Sequence, residues 1–192
     1  MAINAKTIRI SKFNAARLQL NTAIRLWFQD GDPVSVLTLV YASHEILHRL
    51  YKNEGYGNLL YDTAHIPTSE REAFVQKLKL VPNFLKHANR DAKEDGAVQF
   101  STGTNIVFLF FSVLAVKGLI GSDAKKLTDE EMAFLAYCLI HEPSWFPEGE
   151  LKNSASVDLA QLRPIKSAEF LETFIKAMGT HRLRAHGPPT HS

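Results

Sequence analysis

The sequence contains a single cysteine, Cys138, which excludes an internal disulfide. Since the fold does not depend on oxidation, we expect a reducing, cytoplasmic location and a buried structural thiol. The N-terminal stretch Met1–Lys6 lacks the apolar core of a secretory signal. Charge of one sign is not in excess either, because the 22 Lys and Arg residues are nearly balanced by 20 Asp and Glu residues. A net charge of +2 gives no global attraction to nucleic acid, although a local basic patch is still compatible with it.

Long hydrophobic runs are also missing. The most apolar segment, residues 106–116, ends at Lys117 and is well short of the roughly 20 residues that a membrane span needs. We therefore expect a buried core helix there and no membrane partner. The sequence also has no glycine-rich phosphate loop, no serine nucleophile elbow and no dinucleotide-fold fingerprint. The common nucleotide-binding and serine-hydrolase folds are thus without support.

Helical periodicity dominates what is present. Apolar residues recur at spacings of three and four, and two capping boxes begin at Ser69 and Thr128. These patterns predict an all-α bundle of about six helices without a substantial sheet. The helices are expected near 11–29, 33–53, 69–90, 103–119, 128–141 and 167–179. Residues 1–179 are expected to form one domain, and 180–192, which have no apolar face, a flexible C-terminal tail.

The connection between the first two helices has the most specific local signals. Gly31 suits a C-terminal cap, Asp32 suits an N-cap, and Pro33 suits the first position of a helix. So short a connection predicts an antiparallel helical hairpin.

The sharpest motif is H-E-x-x-H, which covers residues 44–48. On a helix, His44 and His48 would lie one turn apart on one face, where both could bind one zinc ion while Glu45 polarised a bound water. Arg49 follows the second histidine, however, and no downstream stretch matches a known third-ligand signature. Two interpretations stay open, namely a metal site at His44 and His48 and a polar stripe on a core helix.

A second group of polar residues lies in N-F-L-K-H-A-N-R-D, residues 83–91. So many donors and acceptors on one side of a short helix indicate a hydrogen-bonded network or a site. A basic helix end, favoured by the helix dipole, would also account for part of the pattern. We select binding candidates from this segment: Asn83, Lys86, His87, Arg90 and Asp91. The catalytic candidates are Glu45, His87 and Arg90.

The same segment resembles an N-F-x-K-H-A-x-R-D motif of uncharacterised bacterial helical proteins, in which a similar hairpin turn precedes the motif. The resemblance covers residues 15–91. More distantly, the hairpin is similar to the HEPN superfamily, the higher-eukaryote and prokaryote nucleotide-binding domains. Active HEPN ribonucleases carry an Arg, a polar residue and a His. Asn83 and His87 match the last two, whereas Pro82 stands in the place of the arginine.

The resemblance implies a helical domain that acts by binding RNA, a nucleotide or a protein partner, with or without catalysis, and that forms a homodimer. Independently, the apolar side chains of helix 103–119 point all round it, so any face left open by the bundle would need a partner. The alternative is a metal-dependent hydrolase with zinc held by His44 and His48, completed by His87 or Asp91. In both cases we expect helix 33–53 to pack on the helix that holds His87, so that His44 or His48 approaches the cluster at residues 83–91, because buried polar groups need partners.

Overall fold

The computed structural model describes residues 7–57, 67–86, 97–121, 126–147 and 162–186, with side chains described as far as residue 179. These residues form six α-helices and one short 3-10 helix, with no strand among them, which confirms the all-α prediction. The elements are α1 (Lys12–Phe28), α2 (Pro33–Asn53), α3 (Arg71–Lys86), α4 (Gly103–Ile120), α5 (Asp129–His141), the 3-10 helix (Pro143–Trp145) and α6 (Ser167–His186).

Local capping explains where several helices start. The Asp32 carboxylate accepts hydrogen bonds from the Val34 and Ser35 amides at the start of α2, as predicted. The capping box of α5 is also present, with Thr128 and Glu131 bonded reciprocally. The helix predicted from Ser69 begins two residues later, at Arg71, and residues 87–90 of its predicted range lie outside the described residues.

The hairpin turn differs from the prediction in one residue. Asp30, not Gly31, adopts the left-handed conformation after α1, with φ of 50°. The Asp30 amide donates to the Trp27 carbonyl and the Gly31 amide to the Leu26 carbonyl, which is the Schellman arrangement. A side chain at Gly31 would be crowded for a different reason, because a Cβ there would lie 3.0 Å from the Leu26 carbonyl oxygen.

The core lies between α2 and the helices on either side of it. α2 packs on both α1 and α4, while α1 also contacts α5 and α6. Phe28 and Phe170 stack with ring centroids 5.7 Å apart, and Phe134 packs edge-on against Phe28. Cys138 is fully buried, and burial raises the pKa of its thiol, so the expected structural cysteine is confirmed.

α4 is the one helix of the described part that could cross a membrane by length and composition. Eight of its 18 residues are buried inside the bundle. Two of these are polar, and each is hydrogen-bonded to α2: Asn105 donates to the Pro33 carbonyl, and Ser112 pairs with His44. Burial among neighbouring helices, with polar side chains bonded to α2, is the environment of a core helix.

The last helix is longer than predicted. Gly179 does not end α6, which continues to His186 and so includes part of the segment expected to be a tail. Residues 187–192 lie outside the described residues.

Two glycines inside helices should respond oppositely to alanine. A Cβ on Gly118 would lie 2.3 Å from Cε2 of Tyr51, whereas a Cβ on Gly179 meets nothing within 4 Å. We expect Gly118→Ala to lower the free energy of unfolding by about 1 kcal/mol, since the clash outweighs the gain in helix propensity. Gly179→Ala should raise it by about 0.5 kcal/mol. Urea denaturation of both variants checks this, and a stabilised Gly118→Ala protein would show that α2 and α4 can separate at little cost.

Candidate binding face on α2 and α3

His44 is placed in the core by α2. Its side chain is 0% exposed, and its Nδ1 atom lies 3.1 Å from Oγ of Ser112 on α4. The ring packs edge-on against Phe108 at a centroid distance of 5.3 Å. Burial, with a smaller contribution from neighbouring His48, lowers the pKa of His44 to about 3. The imidazole is therefore neutral at physiological pH and links α2 to α4.

The two histidines of the H-E-x-x-H motif do not form a metal site with their described neighbours. Their rings are nearly parallel, with an interplanar angle of 22° and centroids 6.0 Å apart, rather than converging on a common point. Zinc needs at least three protein ligands, and the described residues contain no group of three His, Cys, Asp or Glu side chains that could hold a metal. The metal hypothesis therefore depends on His87 or Asp91, which lie outside the described residues.

Glu45, between the two histidines, points away from the core and pairs with Lys86 at the end of α3. The Lys86 ammonium also lies over the Tyr41 ring, 4.4 Å from its centroid. A cation above an aromatic face and beside a carboxylate is held at two points. The expected packing of α2 on α3 is thus present, but it brings Lys86 to Glu45 and Tyr41 on α2, whereas His44 turns towards α4.

The remaining residues of the second motif are only partly placed. Asn83 is half-buried on α3, one residue after the buried Pro82. His87, Arg90 and Asp91 lie outside the described residues. The structure therefore brings together Glu45 and Lys86 among the candidates selected from the sequence.

The exposed part of α3 near its start and middle was not selected from the sequence. Phe74 and Leu80, two large apolar residues of this helix, are 36% and 61% exposed. Lys77, also exposed, is three residues from each, so these side chains form one stripe on the helix. Only Val81 and Pro82 of α3 are buried. We call the exposed surface of α3, from this stripe round to the Lys86–Glu45 pair on the opposite side of the helix, the α3 face.

The α3 face is also basic. α3 contains four basic residues and one acidic residue, a net charge of +3, against +2 for the whole chain. The basic residues are Arg71, Lys77, Lys79 and Lys86. The composition of residues 71–86 could have revealed this concentration of charge, which the near-neutral total conceals.

Fold and site together define an all-α bundle that carries a basic, partly apolar helix on its surface. Beyond that class, the chain matches no family model, no curated protein and no solved structure.

Proposed function

We propose that this chain is a HEPN-like helical domain that binds single-stranded RNA through the α3 face. The observation that carries the proposal is the net charge of +3 on α3, combined with the exposed aromatic ring of Phe74 beside Lys77. Lysine and arginine side chains neutralise phosphates, and releasing the counterions of those phosphates drives binding. Single-stranded bases are unstacked and pack on exposed aromatic side chains.

The second motif would extend this face. Asn83 and Lys86 are at the C-terminal end of α3, and the candidates His87, Arg90 and Asp91 follow directly in the chain. Lys86 is partly exposed, at 28% of its side chain, so it can exchange Glu45 for a phosphate at modest cost. Glu45, His87 and Arg90 remain the candidates for a catalytic role if RNA is also cleaved.

Fluorescence anisotropy with a labelled 12-nucleotide oligouridylate, measured from low to high potassium chloride, tests the proposal. Each lost phosphate contact should reduce the slope of log affinity against log salt by about 0.7. We expect the double variant Lys77→Gln/Lys79→Gln to reduce the slope by about 1.4, because it removes two such contacts. Phe74→Ala should weaken binding about tenfold through lost stacking.

The matched control removes two positive charges from another helix. Lys166 directly precedes α6 and Lys176 lies on it, and both are exposed. The double variant Lys166→Gln/Lys176→Gln should retain the wild-type slope of log affinity against log salt. Equal losses in both double variants, or no binding at low salt, would contradict the α3 face as an RNA site. Binding by a protein partner would then be the better interpretation of the same surface. Shortening of the RNA during the measurement would add a nuclease activity to the binding.

The metal-dependent hydrolase has less support, since no described third ligand accompanies His44 and His48. Elemental analysis of protein purified without a tag decides between the two functions. Zinc present at one ion per chain and lost in a His44→Ala variant would favour the hydrolase.

We also propose a homodimer, for which the support is the pairing implied by the HEPN resemblance. The sequence also suggested a dimer because an uncovered apolar face of α4 would need a partner. That support is lost, because no α4 residue is among the exposed large hydrophobic residues of the described part. A mass of one chain in light scattering at micromolar concentration would overturn the dimer.

A further inference from the structure

A pocket of about 410 Å³ opens at the end of the bundle where the α1–α2 hairpin turns. The starts of α4 and α6, at Gly103 and Ser167, and Tyr137 of α5 also contribute to its lining. Its volume is within the range of small-ligand sites. The pocket is separate from the α3 face, so an inference about it does not depend on the proposed function.

The polar groups of this pocket offer hydrogen-bond acceptors. Asn105 lines it and is 2% exposed, and its Oδ1 atom has no hydrogen-bond partner among the described residues. Its Nδ2 atom donates to the Pro33 carbonyl, 3.1 Å away, and because a carbonyl only accepts, the amide cannot be flipped. Within the described part of the chain, the amide oxygen is therefore a buried acceptor that lacks a donor, a state that costs free energy unless a ligand supplies one. The exposed carboxylate of Asp30 lines the same pocket and adds a negative charge.

The starts of α2 and α4 do not make this pocket a site for anions. The Gly103, Thr104 and Asn105 amides at the start of α4 already donate to Ser101 and Thr102. At the start of α2, Pro33 has no N–H, and the next amides are bonded to Asp32. An anion would thus meet few available donors and the carboxylate of Asp30.

Two aromatic rings complete the pocket. Trp27 and Tyr137 are packed edge to face with centroids 5.0 Å apart, and both are half-buried. The negative charge of Asp30 is close enough to contribute to raising the pKa of Tyr137, although burial is the main cause. Aromatic faces next to a carboxylate attract organic cations.

We propose that this pocket binds a small ligand bearing a protonated amine. Its ammonium group donates to Oδ1 of Asn105 and lies near the Asp30 carboxylate, and its apolar part packs against Trp27 and Tyr137. Such a ligand supplies the donor that Asn105 lacks and balances the charge of Asp30, which neither a neutral alcohol nor a carboxylate can do.

Three probes of the same shape test the assignment: benzylamine, benzyl alcohol and benzoate. The chain has two tryptophans, so an NMR spectrum of the full-length protein contains two indole N–H signals. Trp145 lies outside the pocket lining and serves as an internal reference. At pH 7 we expect benzylamine to shift the Trp27 signal with saturation. Benzyl alcohol and benzoate should bind at least about tenfold more weakly, since charge-assisted hydrogen bonds are the stronger ones.

Asp30→Asn removes the charge and should preserve the fold, because asparagine also tolerates the left-handed conformation found at this position. We expect it to weaken benzylamine binding about tenfold and to leave benzyl alcohol unchanged. Glu54→Gln removes a charge at the far end of α2, which has 21 residues and is about 30 Å long, and should bind benzylamine like wild type. Equal affinity for all three probes, preference for benzoate, unchanged binding in Asp30→Asn, or no shift of Trp27 up to 20 mM benzylamine would each overturn the proposal.

Discussion

Replacing Arg17 with methionine should lower the free energy of unfolding by about 3 kcal/mol, because it leaves a buried carboxylate without its counter-charge. Arg17 on α1 forms a two-point ion pair with Glu131 on α5, with Nε–Oε1 and Nη2–Oε2 distances of 2.7 and 2.6 Å. The Glu131 side chain is 0% exposed. Methionine retains most of the volume of the arginine stem, so the loss reports mainly on charge.

The Arg17–Glu131 pair is also bonded to the start of α5. Glu131 accepts a hydrogen bond from the Thr128 amide as part of the capping box of α5, and Arg17 donates to the Lys126 carbonyl just before that helix. The hydrogen bond to Glu131 raises the pKa of Arg17, so the guanidinium stays charged at any pH in use. Loss of Arg17 therefore weakens the start of α5 as well as its contact with α1.

Arg25→Met is the matched control, because Arg25 joins the same two helices through Glu130. That pair is more exposed, at 44% for Arg25 and 21% for Glu130, and exposed pairs contribute about 1 kcal/mol or less. Urea denaturation of the two variants checks the difference. Equal losses in the two variants would contradict this and would show that water reaches Glu131. If Glu131 is dry, as its 0% exposure indicates, adding Glu131→Gln to the Arg17→Met variant should recover part of the lost stability.

Stability should also fall by about 2 kcal/mol between pH 7.5 and 5.0 because of His44 alone. In the unfolded chain this imidazole takes up a proton near its ordinary pKa of about 6.5, whereas in the folded protein its pKa is lowered to about 3. Between these values the unfolded state binds more protons, so its share grows as the pH falls. The contribution of His44 is fully present above pH 6.5 and is lost as the pH decreases towards 3.

His44→Asn separates this effect from other titrations. Asparagine can keep a polar contact with Ser112 but does not titrate, so the variant should be less stable at pH 7.5 and lose less stability at pH 5.0. The expected measurement is urea denaturation of both proteins at the two pH values. If the variant and the wild type lose the same free energy, the titrating group is not His44.

Local signals in the sequence were enough to predict the helices and several of their ends. Asp32, Thr128 and Glu131 act within three or four residues of themselves, and the apolar spacing that predicts a helix is equally local. Such signals can be read without knowing what the helix packs against. The H-E-x-x-H motif is local too, and the sequence correctly placed both of its histidines on one helix.

Which faces of these helices are buried, and what their polar residues contact, depends on how the helices pack together. Phe74 and Leu80 have the same apolar character as core residues, yet nothing in the described part of the chain covers them fully. His44 meets Ser112, 68 residues away in the chain, and Arg17 meets Glu131, 114 residues away. These partners depend on how the helices are arranged, and each apolar stripe is compatible with several arrangements. Hydrophobic burial is non-directional. It therefore requires that the apolar face of a helix be covered, but it does not specify which neighbouring helix covers it.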